Sequence, residues 1–278
     1  MSLTEIFTDS LKYPFSDMTK FCILGVIMAI SSLGSLDLGN ETLTLILGII
    51  GFIASIIAGG YGVSIVKNAI IKSDEIPDFD LQTNLIDGIK MIILAIVYYI
   101  IPFIITVIIA FASGFFNQIM EVMAYASQYG PDFVNMVPED VAMSLVSSAA
   151  ITVIIGIVLF VIFTLLLYMG VCRLAKYNSL SEGVDIPEAA RDLKRIGIGK
   201  IIGWMVLLIV IIAIITFISM ILTSIPYIGV LISAFLVSTT SRTLPFEEAR
   251  IILLPDLPRS WFSYDFSIPN FPILSLRE

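Results

Sequence analysis

Histidine is absent from this 278-residue chain. That removes the commonest metal ligand and the commonest general base at neutral pH. Cysteine occurs twice, at Cys22 and Cys172, too few for a metal site by themselves. Both lie near the ends of apolar runs on the side argued below to be cytoplasmic, where thiols stay reduced. A disulfide between them is open; two small buried apolar residues is the simpler reading. Charge is scarce as well, at 14% of residues, with no basic tract and no low-complexity tail. The net charge of -8 therefore carries no nucleic-acid signature. No Asp, Glu, Lys or Arg falls inside any of six long apolar runs. Ionisable groups within a membrane mark ion and proton pathways, so their absence argues against a proton-coupled pump or a voltage sensor. It leaves open a passive route for neutral solutes. A cleavable signal peptide is not expected: residues 1–20 hold Glu5, Asp9 and Asp17, and no small-residue cleavage site follows the first apolar run.

What the chain has is apolar length. Hydrophobic residues make up 58% and the mean hydropathy is +1.01. The runs reach the roughly 20 residues needed to cross a hydrocarbon layer of about 30 Å. They place spans at about 21–36, 42–66, 91–112, 141–171, 201–222 and 228–243. Pro102 is expected to kink the third. The polar section 113–140 carries Phe115, Phe116, Ile119, Met120 and Met123, which predicts an amphipathic helix broken at Gly130-Pro131. The sixth span is weakly ended, by Ser238-Thr239-Thr240-Ser241. Residues 244–278 form a Pro- and aromatic-rich tail, while 1–237 form the membrane domain.

The fifteen Lys and Arg fix an orientation. Lys12 and Lys20 precede span one, and Lys67, Lys72 and Lys90 lie between spans two and three. Arg173, Lys176, Arg191, Lys194, Arg195 and Lys200 lie between spans four and five. Arg242 lies at the very end of span six, past its apolar run, and Arg250, Arg259 and Arg277 follow. With six crossings all of them fall on one side, so the positive-inside rule puts both termini in the cytoplasm.

Two polar islands, 73–90 and 181–200, align at an offset of 110 residues: Ile76-Pro77-Asp78 with Ile186-Pro187-Glu188, and Lys90 with Lys200. In the first, Pro77 suits a first helical turn, and Leu81, Leu85 and Ile89 recur at spacing four opposite Asp80, Thr83 and Asp87. This predicts a short interfacial helix starting at Pro77 and meeting the next span at Lys90. In the second, Leu193 and Ile196 face away from Arg191, Lys194 and Arg195. Residues 3–13 repeat the pattern. The fold class is therefore all-α and polytopic: six spans as three parallel units, each an interfacial helix plus a hairpin.

Lys12-Tyr13-Pro14-Phe15-Ser16-Asp17, Ile76-Pro77-Asp78-Phe79-Asp80 with Asp87-Gly88-Ile89-Lys90, and Ser224-Ile225-Pro226-Tyr227-Ile228-Gly229 resemble the archaeal membrane family of domain of unknown function 4013, over about residues 5–237. The resemblance implies an archaeal integral membrane protein and brings no activity, ligand or catalytic residue. After Val237 this chain departs from that pattern, turning to Thr240-Ser241-Arg242.

The remaining constellations are modest. Gly51, Ser55 and Gly59, with Ala54, Ala58 and Gly62 beside them, make a smooth stripe on span two. It suits packing within the chain or a homodimer face. Arg191, Lys194 and Arg195 are candidates for anionic lipid headgroups, although the positive-inside bias alone would place charge there. Asp74, Glu75, Asp78 and Asp80 lack the spacing of a calcium loop, and helix capping accounts for them more simply. The outer acids Glu121, Asp132, Glu139 and Asp140 have no His, Cys or Ser constellation beside them. No cofactor, catalytic residue or metal site is expected. The expected partners are the bilayer and a second copy or another membrane subunit, with no nucleic acid. The function class is a non-catalytic assembly, accessory or membrane-organising protein. The alternative is a transporter or channel for a neutral or lipidic solute.

Overall fold

The structure is a computed structural model that describes residues 17–35, 39–70, 76–222 and 232. Residues 3–13, the sixth span apart from residue 232, the last turn and the tail lie outside them. Every regular element among the described residues is helical. In order these are α1 (Met18–Ser31), a 3-10 turn (Leu33–Ser35), α2 (Glu41–Ile70), α3 (Leu81–Ala112) and α4 (Phe115–Tyr129). A second 3-10 turn (Gly130–Asn135), α5 (Glu139–Tyr177), the single turn α6 (Leu180–Gly183), α7 (Ile186–Ile196) and α8 (Ile198–Leu222) follow.

Among the described residues three helices, α2, α3 and α5, are long and apolar enough to cross a membrane. At 1.5 Å per residue their 30, 32 and 39 residues extend about 45, 48 and 58 Å, beyond a hydrocarbon layer of about 30 Å. Helix α1 is shorter than the expected first span, with 14 residues or about 21 Å. Large apolar side chains stay exposed along these helices, from Leu43 to Ile53, from Ile92 to Phe111 and from Met143 to Ile162.

The helices pack as antiparallel neighbours: α1 on α2, α2 on α3, and α3 on α5, with α7 laid against the end of α5. The buried core lies toward the end where α2 and α5 finish. Val63, Val66, Leu94, Tyr98, Leu166, Met169, Leu174, Leu193 and Ile196 form one cluster. Leu24, Met28, Ala58, Tyr61, Ile65 and Ile76 form another. Helix α3 runs on through Pro102. Its missing N–H leaves one carbonyl of the preceding turn without its helical bond, while Thr106 Oγ1 donates to the Pro102 carbonyl at 2.7 Å.

The first island departs from expectation. No helix starts at Pro77; it starts at Leu81 and, as expected, runs on through Lys90 into the apolar segment. Residues 76–80 are non-helical, and α3 continues from Leu81 into the apolar segment. The cause is local. Tyr61 Oη donates to the Pro77 carbonyl at 2.9 Å, and Lys20 Nζ donates to the Ile76 carbonyl at 2.6 Å. Those carbonyls are held outward by other elements, and Asp80 is a far better N-cap than Ile76. Its carboxylate accepts from Gln82 N at 3.1 Å and Thr83 Oγ1 at 2.5 Å. The second island does form its own helix. Asp185 caps α7 through Glu188 N at 3.1 Å, Pro187 sits in the first turn, and Gly197 at φ 99° separates α7 from α8.

Candidate functional site

The polar chemistry of the described chain collects at the end of the bundle where α2 and α5 finish and α1, α3 and α7 begin. Two buried carboxylates organise it. Asp87, in the second turn of α3, accepts from Lys67 Nζ of α2 at 2.6 Å and from Lys90 Nζ at 2.9 Å. Lys67 also donates to Asn178 Oδ1 at 2.9 Å. Asn178 is the left-handed residue at φ 50° that ends α5, so one ammonium ties three helix ends together. Asp192, on α7, accepts from Arg173 Nη1 of α5 at 3.1 Å, and Arg195 stands at 3.5 Å. Arg173 further donates Nε to the Glu182 carbonyl at 3.0 Å and Nη2 to Glu182 Oε2 at 2.7 Å. That fork clamps α5, α6 and α7 together.

The two joints share a plan. Each has a cation near the last turns of a long helix, a buried Asp on a later helix, and a second cation three residues beyond that Asp. The pattern Asp-x-x-Lys/Arg occurs also at Asp17 and Lys20, 3.9 Å apart at the start of α1. Lys20 pairs in addition with Asp78 at 2.8 Å. The constant offset of 110 aligned Lys90 with Lys200 and hid this: in role, Lys90 corresponds to Arg195.

Electrostatics follow exposure. The hydrogen bond and charge of Lys20 hold the Asp78 carboxyl below its ordinary value. The Thr83 hydroxyl and the Gln82 amide do the same for Asp80. Burial pushes the Asp192 carboxyl up, against the opposing pull of Arg173.

Close helix contact is concentrated where α2 crosses α3. A Cβ on Gly60 would overlap the Asn84 carbonyl oxygen, and one on Gly88 would overlap that of Ile56. Each glycine thus receives the carbonyl four residues before the other, a reciprocal Cα–H···O approach that only glycine permits. The stripe expected on α2 divides. Gly51, Ala54, Ala58 and Gly62 are buried, while Ser55 and Gly59 are half-buried. Gly51 meets the end of α1, where a Cβ would stand 2.8 Å from the Ser31 carbonyl oxygen. Sequence reasoning missed Gly60, Gly88 and both buried ion joints. The Gly59-Gly60 pair was visible, but spacing alone does not say which of two adjacent stripes faces a neighbour.

The apolar set of the first island turns outward: Leu81 and Ile89 are exposed, whereas Asn84, Asp87 and Gly88 are buried. Leu193 and Ile196 of α7 are buried. Arg191, Lys194 and Arg195 are exposed, with Arg191 paired to Glu188 and Arg195 to Asp192. Asp78 and Asp80 are spent on Lys20 and on capping; Asp74 and Glu75 lie outside the described residues. No group of three or more His, Cys, Asp or Glu among the described residues is placed to hold a metal ion. Cys22 is exposed rather than buried as expected, and Cys172 is half-buried; both are free. At the opposite end Glu121, Asp132, Glu139 and Asp140 are exposed.

A second polar feature runs along the seam between α3 and α5. Tyr99 Oη and Thr164 Oγ1 lie 3.1 Å apart, and Ser113 and Thr152 hydroxyls 3.2 Å apart. Ser148 of α5 donates to Gln118 of α4, and Thr106 faces Gly156. These groups are neutral hydroxyls and an amide, bonded to one another and to backbone carbonyls.

Compared with known proteins, a family model described as a protein of unknown function, DUF4013, matches residues 43–224. No curated protein and no solved structure matches.

Proposed function

Since the chain belongs to the DUF4013 family of proteins of unknown function, which names no activity, we propose from its own residues that it is a non-catalytic, multi-pass protein of the cell membrane. It crosses six times as three units, with both termini in the cytoplasm, and serves as an assembly, accessory or membrane-organising subunit. The observation that carries this reading is the division of charge along the bundle. Lys20, Lys67, Lys90, Arg173, Arg191 and Arg195 gather at one end, each paired with an acid, and Lys194 lies exposed among them. The other end holds acids alone among the described residues, and the surface between is apolar. That is the pattern of a bilayer-embedded bundle with its basic end inside. The non-catalytic part rests on how the polar groups are used: among the described residues the buried charges are consumed by ion pairs with their neighbours.

The three-unit reading gains support from spacing. Fifty residues separate Asp17 from Lys67, and fifty separate Asp192 from Arg242. The second unit is longer because α4 and its following turn are inserted. Arg242 lies outside the described residues, and the reading assigns it the role in unit three that Lys67 has in unit one. Cysteines introduced at Asp37 and Asp132 should react with an impermeant thiol reagent from outside the cell, and one at Asp185 should not. The reverse labelling would overturn the topology.

A second reading, a passive route for a neutral or lipidic solute, is favoured by the hydroxyl row between α3 and α5. Replacing Thr152 and Ser113 together by Val and Ala should abolish any such flux while sparing the fold. Purification in mild detergent with identification of bound proteins and lipids separates the two readings.

A further inference from the structure

Helix α4 follows the end of α3 through Gly114, at φ 78°, and packs on the first turns of α5. Its surface divides into three sectors at helical spacing. Phe115, Gln118, Ile119, Val122 and Ala126 are half-buried toward the bundle, where Gln118 accepts from Ser148 of α5. Phe116, Met120 and Met123 form a second sector, exposed at 36%, 68% and 58%. Asn117, Glu121 and Gln128 form a third, exposed and polar, about 110° further round the helix than the second. A helix packed on one side against protein needs only one solvent face. This one presents two of opposite character, as a helix does where water and hydrocarbon meet.

The apolar sector is continuous with the lipid-facing belt. Phe116 packs on Phe111 of α3, ring centroids 4.4 Å apart, and Phe111 is itself 66% exposed. Met143 and Val146 of α5, just before Ser148, are exposed as well. We propose that α4 is a surface-lying anchor in the outer leaflet, with Phe116, Met120 and Met123 buried in the upper acyl region and Asn117, Glu121 and Gln128 in water. The end it occupies carries Glu121, Asp132, Glu139 and Asp140 and no cation among the described residues. Anionic headgroups therefore have nothing to bind there, and insertion rests on apolar burial, independent of lipid charge. Methionine and phenylalanine suit this task, since the flexible thioether adapts to the disorder of acyl chains. The inference deepens the membrane reading above and rests on it.

The test uses the full chain with Cys22→Ser and Cys172→Ala, reconstituted in phosphatidylcholine vesicles. Single cysteines at Met120, Met123, Asn117, Gln128 and Ile157 carry an environment-sensitive fluorophore, and lipids with a spin label at shallow or deep acyl positions quench it. The expected result is shallow-label quenching at Met120 and Met123, little at Asn117 and Gln128, and deep-label quenching at Ile157. Adding phosphatidylglycerol or salt should change none of these. Equal quenching at Met120 and Asn117 with strong quenching at Ile157 would overturn the anchor alone. No quenching at Ile157 would overturn the membrane reading itself. Loss of quenching at Met120 together with Met120→Cys disulfide dimers would assign the face to a second copy and overturn the lipid assignment.

Discussion

Lys67 Nζ lies 2.6 Å from Asp87 Oδ2, twenty residues on, with the carboxylate side chain 3% exposed and the ammonium 28% exposed. A carboxylate this buried is stable only while its cations are present, because an uncompensated buried charge is expensive. Removal of Lys67 leaves Asp87 with Lys90 alone and strips Asn178 of its donor. Lys67→Met should therefore lower stability by about 2 kcal/mol or more, as loss of a hydrogen bond to a charged, buried group does. Asp87→Asn should cost less, since Lys67 is exposed enough to reach water. The double variant should cost less than the sum of the two, a coupling that thermal unfolding in detergent reads out. Additive effects would mean that the joint contributes no specific energy.

The crossing of α2 on α3 gives a steric prediction. Gly60→Ala and Gly88→Ala each force a Cβ onto a backbone carbonyl that cannot rotate away. Each should destabilise by about 3 kcal/mol or more, at or above the usual range for overpacking. Gly48→Ala, with open space around its position, should change little. The half-buried Gly59 lies one residue from the crossing, so Gly59→Ala should be milder than Gly60→Ala. Equal midpoints for Gly60→Ala and Gly48→Ala would remove the close-crossing account.

Asp78 supplies a pH prediction. Its carboxyl is held below the unperturbed 3.8 by Lys20. A depressed carboxyl contributes stability that is complete above 3.8 and is lost as pH falls through its folded value. The tie between α1 and residues 76–80 should thus be constant from neutral pH down to the ordinary carboxylate range. Carboxyl NMR of Asp78 should titrate below 3.8, and Lys20→Gln should bring it back up. An unshifted titration in the parent chain would mean that the 2.8 Å pair is absent in solution.

The basic face of α7 tests whether charge there does more than orient the chain. Arg191 and Arg195 are already paired within the helix, to Glu188 and Asp192, so their free attraction for headgroups is reduced. Replacing Arg191, Lys194 and Arg195 by Gln should lower co-purified anionic lipid modestly, by the equivalent of about 1 kcal/mol per fully available basic residue at most. The effect should vanish at high salt. Unchanged lipid content would confine these residues to topology.

The all-helical class, the apolar segments and a helix in the polar section, ending at Gly130, were legible in the sequence because each depends on a periodic pattern that lipid or packing imposes on many residues at once. The second island was legible for the same reason, aided by Pro187 and by Gly197. In the first island the helix running through Lys90 into the next span was legible, and its start was not. Whether Pro77 starts a helix depends on Tyr61 and Lys20, which take its neighbouring carbonyls from other elements. Nor does a polar stripe announce its direction. In a membrane-facing bundle the apolar side of α3 looks outward while Asn84 and Asp87 are enclosed, the inverse of a soluble helix. The ion joints were hidden because each Asp finds its principal cation on a different helix, through tertiary structure alone.

The repeated joint makes a last prediction about the two ends of the chain. In both described joints a cation near the end of one unit's second long helix meets the Asp of an Asp-x-x-Lys/Arg pair in the next unit. In the three-unit reading proposed above, unit one carries that pair as Asp17 and Lys20. Asp17 keeps 38% of its side chain exposed, unlike Asp87 at 3% and Asp192 at 2%. In unit three the residue at the spacing of Lys67 is Arg242. Closure of three units into a ring then requires Arg242 to serve Asp17. Asp17→Arg and Arg242→Asp should each lower the thermal midpoint, and the double exchange should recover most of the loss, because opposite charges attract in either order. Arg259→Asp combined with Asp17→Arg should recover nothing. An exchange no more stable than its two single variants would leave the units as a row with free ends, and would withdraw the sixth span's role in completing the bundle.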